Sequence, residues 1–253
     1  MVAQIWPIVV ALPILPRLLL LAWMLELLAL PALKKHWGAE AERAAINLGV
    51  LLQAATGLAM LAAAWGLGPT LRVALLVLAL GWGVEYLGAH TGLPFGRYHY
   101  TARLQPQLGG VPLLIPLAWL MMLPPAWAVA HLIAGGPGIA FVLTAALAFT
   151  AWDLFLDPQM VAWGCWVWDQ PGGYFGIPWQ NYAGWLLSAA VMTALAAPLN
   201  VPAPFPTAPL LLVYTLTWLL QSFAQFVFWK LRGPALCGTI GMGLWMAWAW
   251  LAM

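Results

Sequence analysis

Long apolar blocks alternate with short polar breaks along this chain, and the blocks approach the ~20 residues that a helix needs to cross a bilayer core. Windows of that length place candidate spans at 5–30, 44–66, 70–88, 111–134, 137–157, 181–198, 208–230 and 235–252. Pro7, Pro13 and Pro16 fall inside the first block. Proline removes a backbone donor that lipid does not replace, so this block is expected to open with a broken or interfacial turn. Eight spans is the reading and seven is the alternative. The expected fold is all-α, a polytopic transmembrane helix bundle forming a single integral membrane domain over residues 1–253. No internal repeat stands out, and Pro-Ala-Pro-Phe-Pro at 202–206 reads as a stiff turn.

Composition agrees with the pattern. Hydrophobic residues make up 64% of the chain and charged residues 6%, with a mean hydropathy of +0.91. A soluble domain carries about a quarter charged residues. The N-terminus has no basic residue ahead of its apolar block and no small-residue cleavage pattern after it, so the first segment is expected to remain as a span. Cys165 and Cys237 lie far apart and form no CxxC pair, and both read as free thiols. A net charge of +2, scattered along the chain, gives no nucleic acid a surface to bind.

Basic residues set the expected orientation. Lys34, Lys35 and Arg43 lie in the first loop, Arg97 and Arg103 in the third, and Lys230 and Arg232 in the seventh. Even-numbered loops hold only Arg72, at the start of the third span, and Arg17 lies within the first span. Odd loops are therefore assigned to the cytoplasmic side of the cell (inner) membrane and the termini to the outside. The two longest connections, 89–110 and 158–180, then share the cytoplasmic face and carry the candidate site. Glu26, Glu85, Asp153 and Asp157 lie toward the same face.

Carboxylates inside spans are costly and mark function by default. Glu85 sits in Gly-Val-Glu-Tyr-Leu-Gly, and its plain alternative is a helix end paired with Arg97 or Arg103. Glu26 has no motif around it and reads as structural. Asp153 and Asp157 are four residues apart, which puts them on one helix face if the fifth span reaches Pro158. Two carboxyls so close in a low dielectric do not both ionise readily, leaving one as a proton donor. The alternative role for Asp157, and the stronger reading for Asp169, is to cap local turns. All three aspartates of the chain thus fall in one short aromatic-rich run, where Trp163, Trp166, Trp168, Trp179 and Trp185 also lie. Tryptophan is ordinary at membrane interfaces; these also suit a slot for a long apolar ligand, with ring faces able to stabilise a cation. His36, His90, His99 and His131 form no HxxH or HxxxH box, so no catalytic metal is expected. The single Asp pair also lacks the second acidic motif of a magnesium-dependent prenyltransferase.

Three strings together resemble the bacterial and archaeal carotenoid hydratase family of integral membrane proteins. They are Glu85-Tyr-Leu-Gly with Gly92-Leu-Pro-Phe-Gly-Arg-Tyr-His-Tyr, then Val111-Pro-Leu-Leu-Ile-Pro-Leu-Ala-Trp119, and Asp153-x-x-x-Asp157-Pro continuing through Trp166-x-Trp168 and Tyr174-Phe-Gly-Ile-Pro to Asn181-Tyr-x-Gly-Trp185. The resemblance covers about residues 80 to 190. It implies addition of water to the terminal C-1′,2′ double bond of an acyclic carotenoid such as lycopene, γ-carotene or a bacterioruberin precursor, with no cofactor or metal. The implied catalytic residues are Asp153 as the acid, with Asp157 and Glu85 tuning it or taking a proton from water. Tyr98, Tyr100, His90, Trp166, Trp168, Tyr174 and Trp185 would line the substrate, and Asn181 would orient the water. Expected partners are a carotenoid drawn from the bilayer, water, lipid and other carotenoid-pathway enzymes. Two rivals stay open: a lycopene-cyclase-like enzyme sharing the protonation step, and a non-catalytic carotenoid carrier.

Overall fold

The computed structural model describes residues 2–196 and 204–253. A short helix α1 (Val2–Ala11) precedes α2 (Ile14–Trp65), and the chain continues through α3 (Leu67–Thr91), α4 (Leu114–Ala134), α5 (Ile139–Ala162), α6 (Trp179–Ala196), α7 (Thr207–Val227) and α8 (Arg232–Ala252). Among the described residues seven helical segments are long and apolar enough to cross a membrane: the two arms of α2, then α3, α4, α5, α7 and α8. The predicted span 181–198 corresponds to α6, and its last two residues lie outside the described residues, as do 202 and 203 of the proline-rich loop. The protein is an all-α polytopic membrane bundle.

The proline-broken start takes a definite form. α1 ends at Ala11, ahead of Pro13, and the Arg17 guanidinium donates to the Val10 and Leu12 carbonyls at 2.5 Å each. These are carbonyls that a helix end leaves without partners. The expected loop between the first two spans narrows to a turn at Gly38, whose φ of 76° is left-handed, with helix on both sides of it. The chain reverses there, because residues at matching distances on either side of Gly38, to within one position, touch. Lys34 meets Glu42 at 2.7 Å, and the Glu26 carboxyl packs on Gly49.

α4 forms the centre of the bundle, with 72% of its apolar window buried against 28–50% for the other spans. It packs on α2, α3, α5, α7 and α8. The α3–α4 and α5–α6 connections close the same end of the bundle. There β1 (Tyr98–Tyr100) pairs antiparallel with β4 (Trp166–Trp168), matching Tyr98 with Trp168 and Tyr100 with Trp166. Side chains alternate along a strand, so these four aromatics share the inner face while His99 and Val167 face out. A second small hairpin joins β2 (Gln107–Leu108) to β3 (Val111–Pro112). Phe95, 1% exposed, wedges between α3 and α6, where a Cβ on Gly88 or Gly184 would meet its ring at 2.7 Å. Only glycine at these two positions lets the ribbon seat on the helices.

Candidate active site

α5 continues through Pro158 to Ala162, so Asp153 and Asp157 stand one turn apart on one face, both buried. Neither caps a turn. Pro158 has no N–H to give the Leu154 carbonyl, and the Tyr174 hydroxyl takes that place, donating to Leu154 O at 3.0 Å. The helix can therefore carry a proline next to its second aspartate without leaving a polar group unmet in an apolar setting.

Asn181, in the first turn of α6, joins the two carboxyls. Its amide nitrogen donates to Asp153 Oδ2 at 3.0 Å and also to Asp157 Oδ2. Trp166 Nε1 from the ribbon donates to Asp157 Oδ1 at 3.1 Å, whereas Asp153 Oδ1 has no partner among protein groups. Neither aspartate has a basic residue within ion-pair reach among the described residues.

Glu85 arrives from the last turns of α3. It is not paired with Arg97 or Arg103; its carboxylate accepts from Tyr98 Oη at 2.5 Å, Tyr100 Oη at 2.7 Å and Trp119 Nε1 at 2.9 Å. Burial, and then the neighbouring Glu85 carboxylate, push the Tyr98 and Tyr100 phenols well up, so both remain hydrogen-bond donors to Glu85. Three donors on one acid make a fixed acceptor.

A cavity of about 20 Å³ lies between these groups. Its polar wall is Glu85, Asp157 and Asn181, and its aromatic wall is Phe95, Tyr98, Tyr100, Trp119, Trp166, Trp168 and Trp185. That volume holds a single water, which needs about 10–15 Å³ and two to four polar partners. Beneath it Trp119 and Trp185 stack at 4.8 Å, and Phe149 packs against both.

The structure thus gathers Glu85, Asp157, Tyr98, Tyr100, Trp166, Trp168, Asn181 and Trp185, with Asp153 directly behind Asp157. Two expected members lie elsewhere. His90 is exposed, stacked on Tyr86 at 4.1 Å with Nδ1 on the Tyr86 carbonyl, because five residues along a helix turn it about 140° from Glu85. Tyr174 is held by Leu154 and does not line the cavity. Asp169 pairs with His99 at 3.3 Å on the exposed side of the ribbon. Glu26 stands apart, both its oxygens buried against α2's second arm without a protein partner. Trp119 and Phe95 were not expected as members; each sits in one of the resembling strings, yet what each touches is set by distant helices.

No solved structure matches the chain. The bisanhydrobacterioruberin hydratase of Haloarcula japonica is 37% identical over 128 residues, covering 49% of this chain and 43% of that protein. The match therefore spans less than half of that relative's length. A family model described as carotenoid biosynthesis protein matches residues 45–251. Because that match takes in most of the chain and the whole of the acid cluster, the protein belongs to the carotenoid biosynthesis protein family.

Proposed function

We propose that the protein adds water to the terminal C-1′,2′ double bond of an acyclic carotenoid end group, giving a tertiary alcohol. The observation that carries this reading is the buried Asp153–Asn181–Asp157 bridge set against a cavity of one water's volume. Membership of a carotenoid biosynthesis family and the hydratase name of the Haloarcula japonica relative point the same way.

Two buried carboxyls joined by one neutral amide, with no cation to balance them, share charge most cheaply by keeping a proton between them. Asp157 faces the cavity and Asp153 does not, which favours Asp157 as the group that delivers the proton and Asp153 as its partner. The proton goes to C-2′, the alkene electron pair forms the new C–H bond, and a tertiary cation is left at C-1′. The faces of Trp166, Trp168, Trp185, Tyr98 and Tyr100 stabilise that cation. Water then forms the C–O bond at C-1′, and its extra proton returns to the aspartate pair, which restores the acid. Glu85, held by three donors, stays an acceptor and orients the water. The sequence of steps balances with water alone, so neither cofactor nor metal is called for.

A carotenoid is about as long as the hydrocarbon core is thick, roughly 30 Å. A substrate standing in the cell membrane would bring its end group near the cytoplasmic connections 89–110 and 158–180, next to the acids of α3 and α5 and where water is at hand. A ring-closing enzyme would begin with the same protonation, and a water-sized volume that meets Glu85, Asp157 and Asn181 favours hydration over it. The test is expression in cells that accumulate lycopene or γ-carotene, followed by pigment extraction. A more polar pigment one water heavier supports the proposal. An isomeric ring-bearing pigment would assign the cyclase, and unchanged pigment the carrier.

A further inference from the structure

The site cavity has room for a water but not for an isoprenoid end group, so the substrate needs another volume to enter. One lies on the neighbouring face of α5. A cavity of about 180 Å³ opens between the two arms of α2, α4, α5 and α7. A dry apolar cavity of about 150 Å³ takes up benzene, so this one matches the end of a hydrocarbon chain and not a whole carotenoid.

Three features identify what it receives and where that leads. Leu28 on the first arm of α2 and Phe223 and Phe228 at the end of α7 line the cavity and are themselves 62%, 54% and 47% exposed, so it opens sideways toward lipid. Along α5, Trp152, Leu156 and Met160 line it at helical spacing, one residue round from Asp153 and Asp157. Leu156 lines both this cavity and the water-sized one, and so forms the wall between them.

We propose that the 180 Å³ cavity is the bilayer-side slot for the terminal isoprene units of an acyclic carotenoid, and that rotation of Leu156 joins it to the acid site. Leucine moves between staggered rotamers on a fast timescale, so the wall can open without a helix moving. The slot rests on the hydration reading for the identity of the chain it holds, and it is tested by binding rather than turnover.

The full chain is reconstituted in nanodiscs and titrated with lycopene, following quenching of tryptophan fluorescence, in wild type, Asp157→Asn, Leu156→Ala, Val50→Phe and Ala224→Phe. Val50 and Ala224 line the slot from different helices and lie outside the acid site, so their phenylalanine variants fill it. The expected result is saturable quenching in wild type, Asp157→Asn and Leu156→Ala, and at least tenfold weaker binding in each filled variant that elutes as a folded protein. Wild-type binding in either folded filled variant, or no saturable binding in wild type, overturns the slot. Continued hydration by Asp157→Asn, with binding lost in the filled variants, would instead remove the proposed acid and leave the slot standing.

Discussion

Asp157 reaches both the cavity and the ribbon, through Asn181 on one oxygen and Trp166 on the other, and replacing it tests the proton source at the scale of a single atom. General acid catalysis contributes about 10²–10⁴-fold. Asp157→Asn should cut product formation by at least about a hundredfold, measured by pigment extraction against equal amounts of protein. Asp153→Asn should cost nearly as much, because the remaining carboxyl loses the partner with which it shares a proton. Asp169→Asn, in the exposed pair with His99, should leave the rate within about twofold, since exposed ion pairs contribute little. Tyr98→Phe and Tyr100→Phe each remove one donor from a buried carboxylate, a loss of about 1.5–3 kcal/mol; the double variant should lose more activity than either alone. The sequence already placed the two aspartates on one face, because a spacing of four is a property of the helix itself. It did not reveal that Trp119 would hold Glu85 from 34 residues away, nor that His90 would turn outward; both are settled by how α3 packs.

At the scale of elements, Pro158 and Tyr174 form a pair that can be tested without reference to activity. Tyr174→Phe should leave the Leu154 carbonyl unmet and destabilise the protein by about 1–3 kcal/mol. Pro158→Ala restores the missing N–H, so in its background the Tyr174→Phe loss should shrink; thermal melts of the four proteins give the coupling. Equal losses in both backgrounds would contradict this role for Tyr174. Phe95→Ala should empty the wedge between α3 and α6 and destabilise by about 3–5 kcal/mol, loosening the ribbon over the site. The spans were legible from hydropathy, and the proline-broken start from Pro13. The ribbon was not, since its three-residue strands lie some 65 residues apart and carry no local signal beyond alternating aromatics. The reversal between the first two spans was legible too, but not its tightness, because the polar residues around Gly38 suggested a longer loop where helix persists on both sides.

For the whole molecule, the arrangement of lysine and arginine predicts that the acid end of the bundle faces the cytoplasm. A cysteine placed at exposed His99 should react with a membrane-impermeant maleimide in inverted vesicles and stay protected in intact cells; the opposite pattern would reverse the orientation. Protonation of a carotenoid alkene by the buried acid pair, with capture of the cation by water, is checked by incubating membranes containing the wild-type and Asp157→Asn proteins with lycopene in ¹⁸O-labelled water and analysing the pigments by mass spectrometry. The expected result is a product one labelled water heavier from the wild type and at most about a hundredth as much from Asp157→Asn. An unlabelled or isomeric product, or equal labelling by the two proteins, would contradict it.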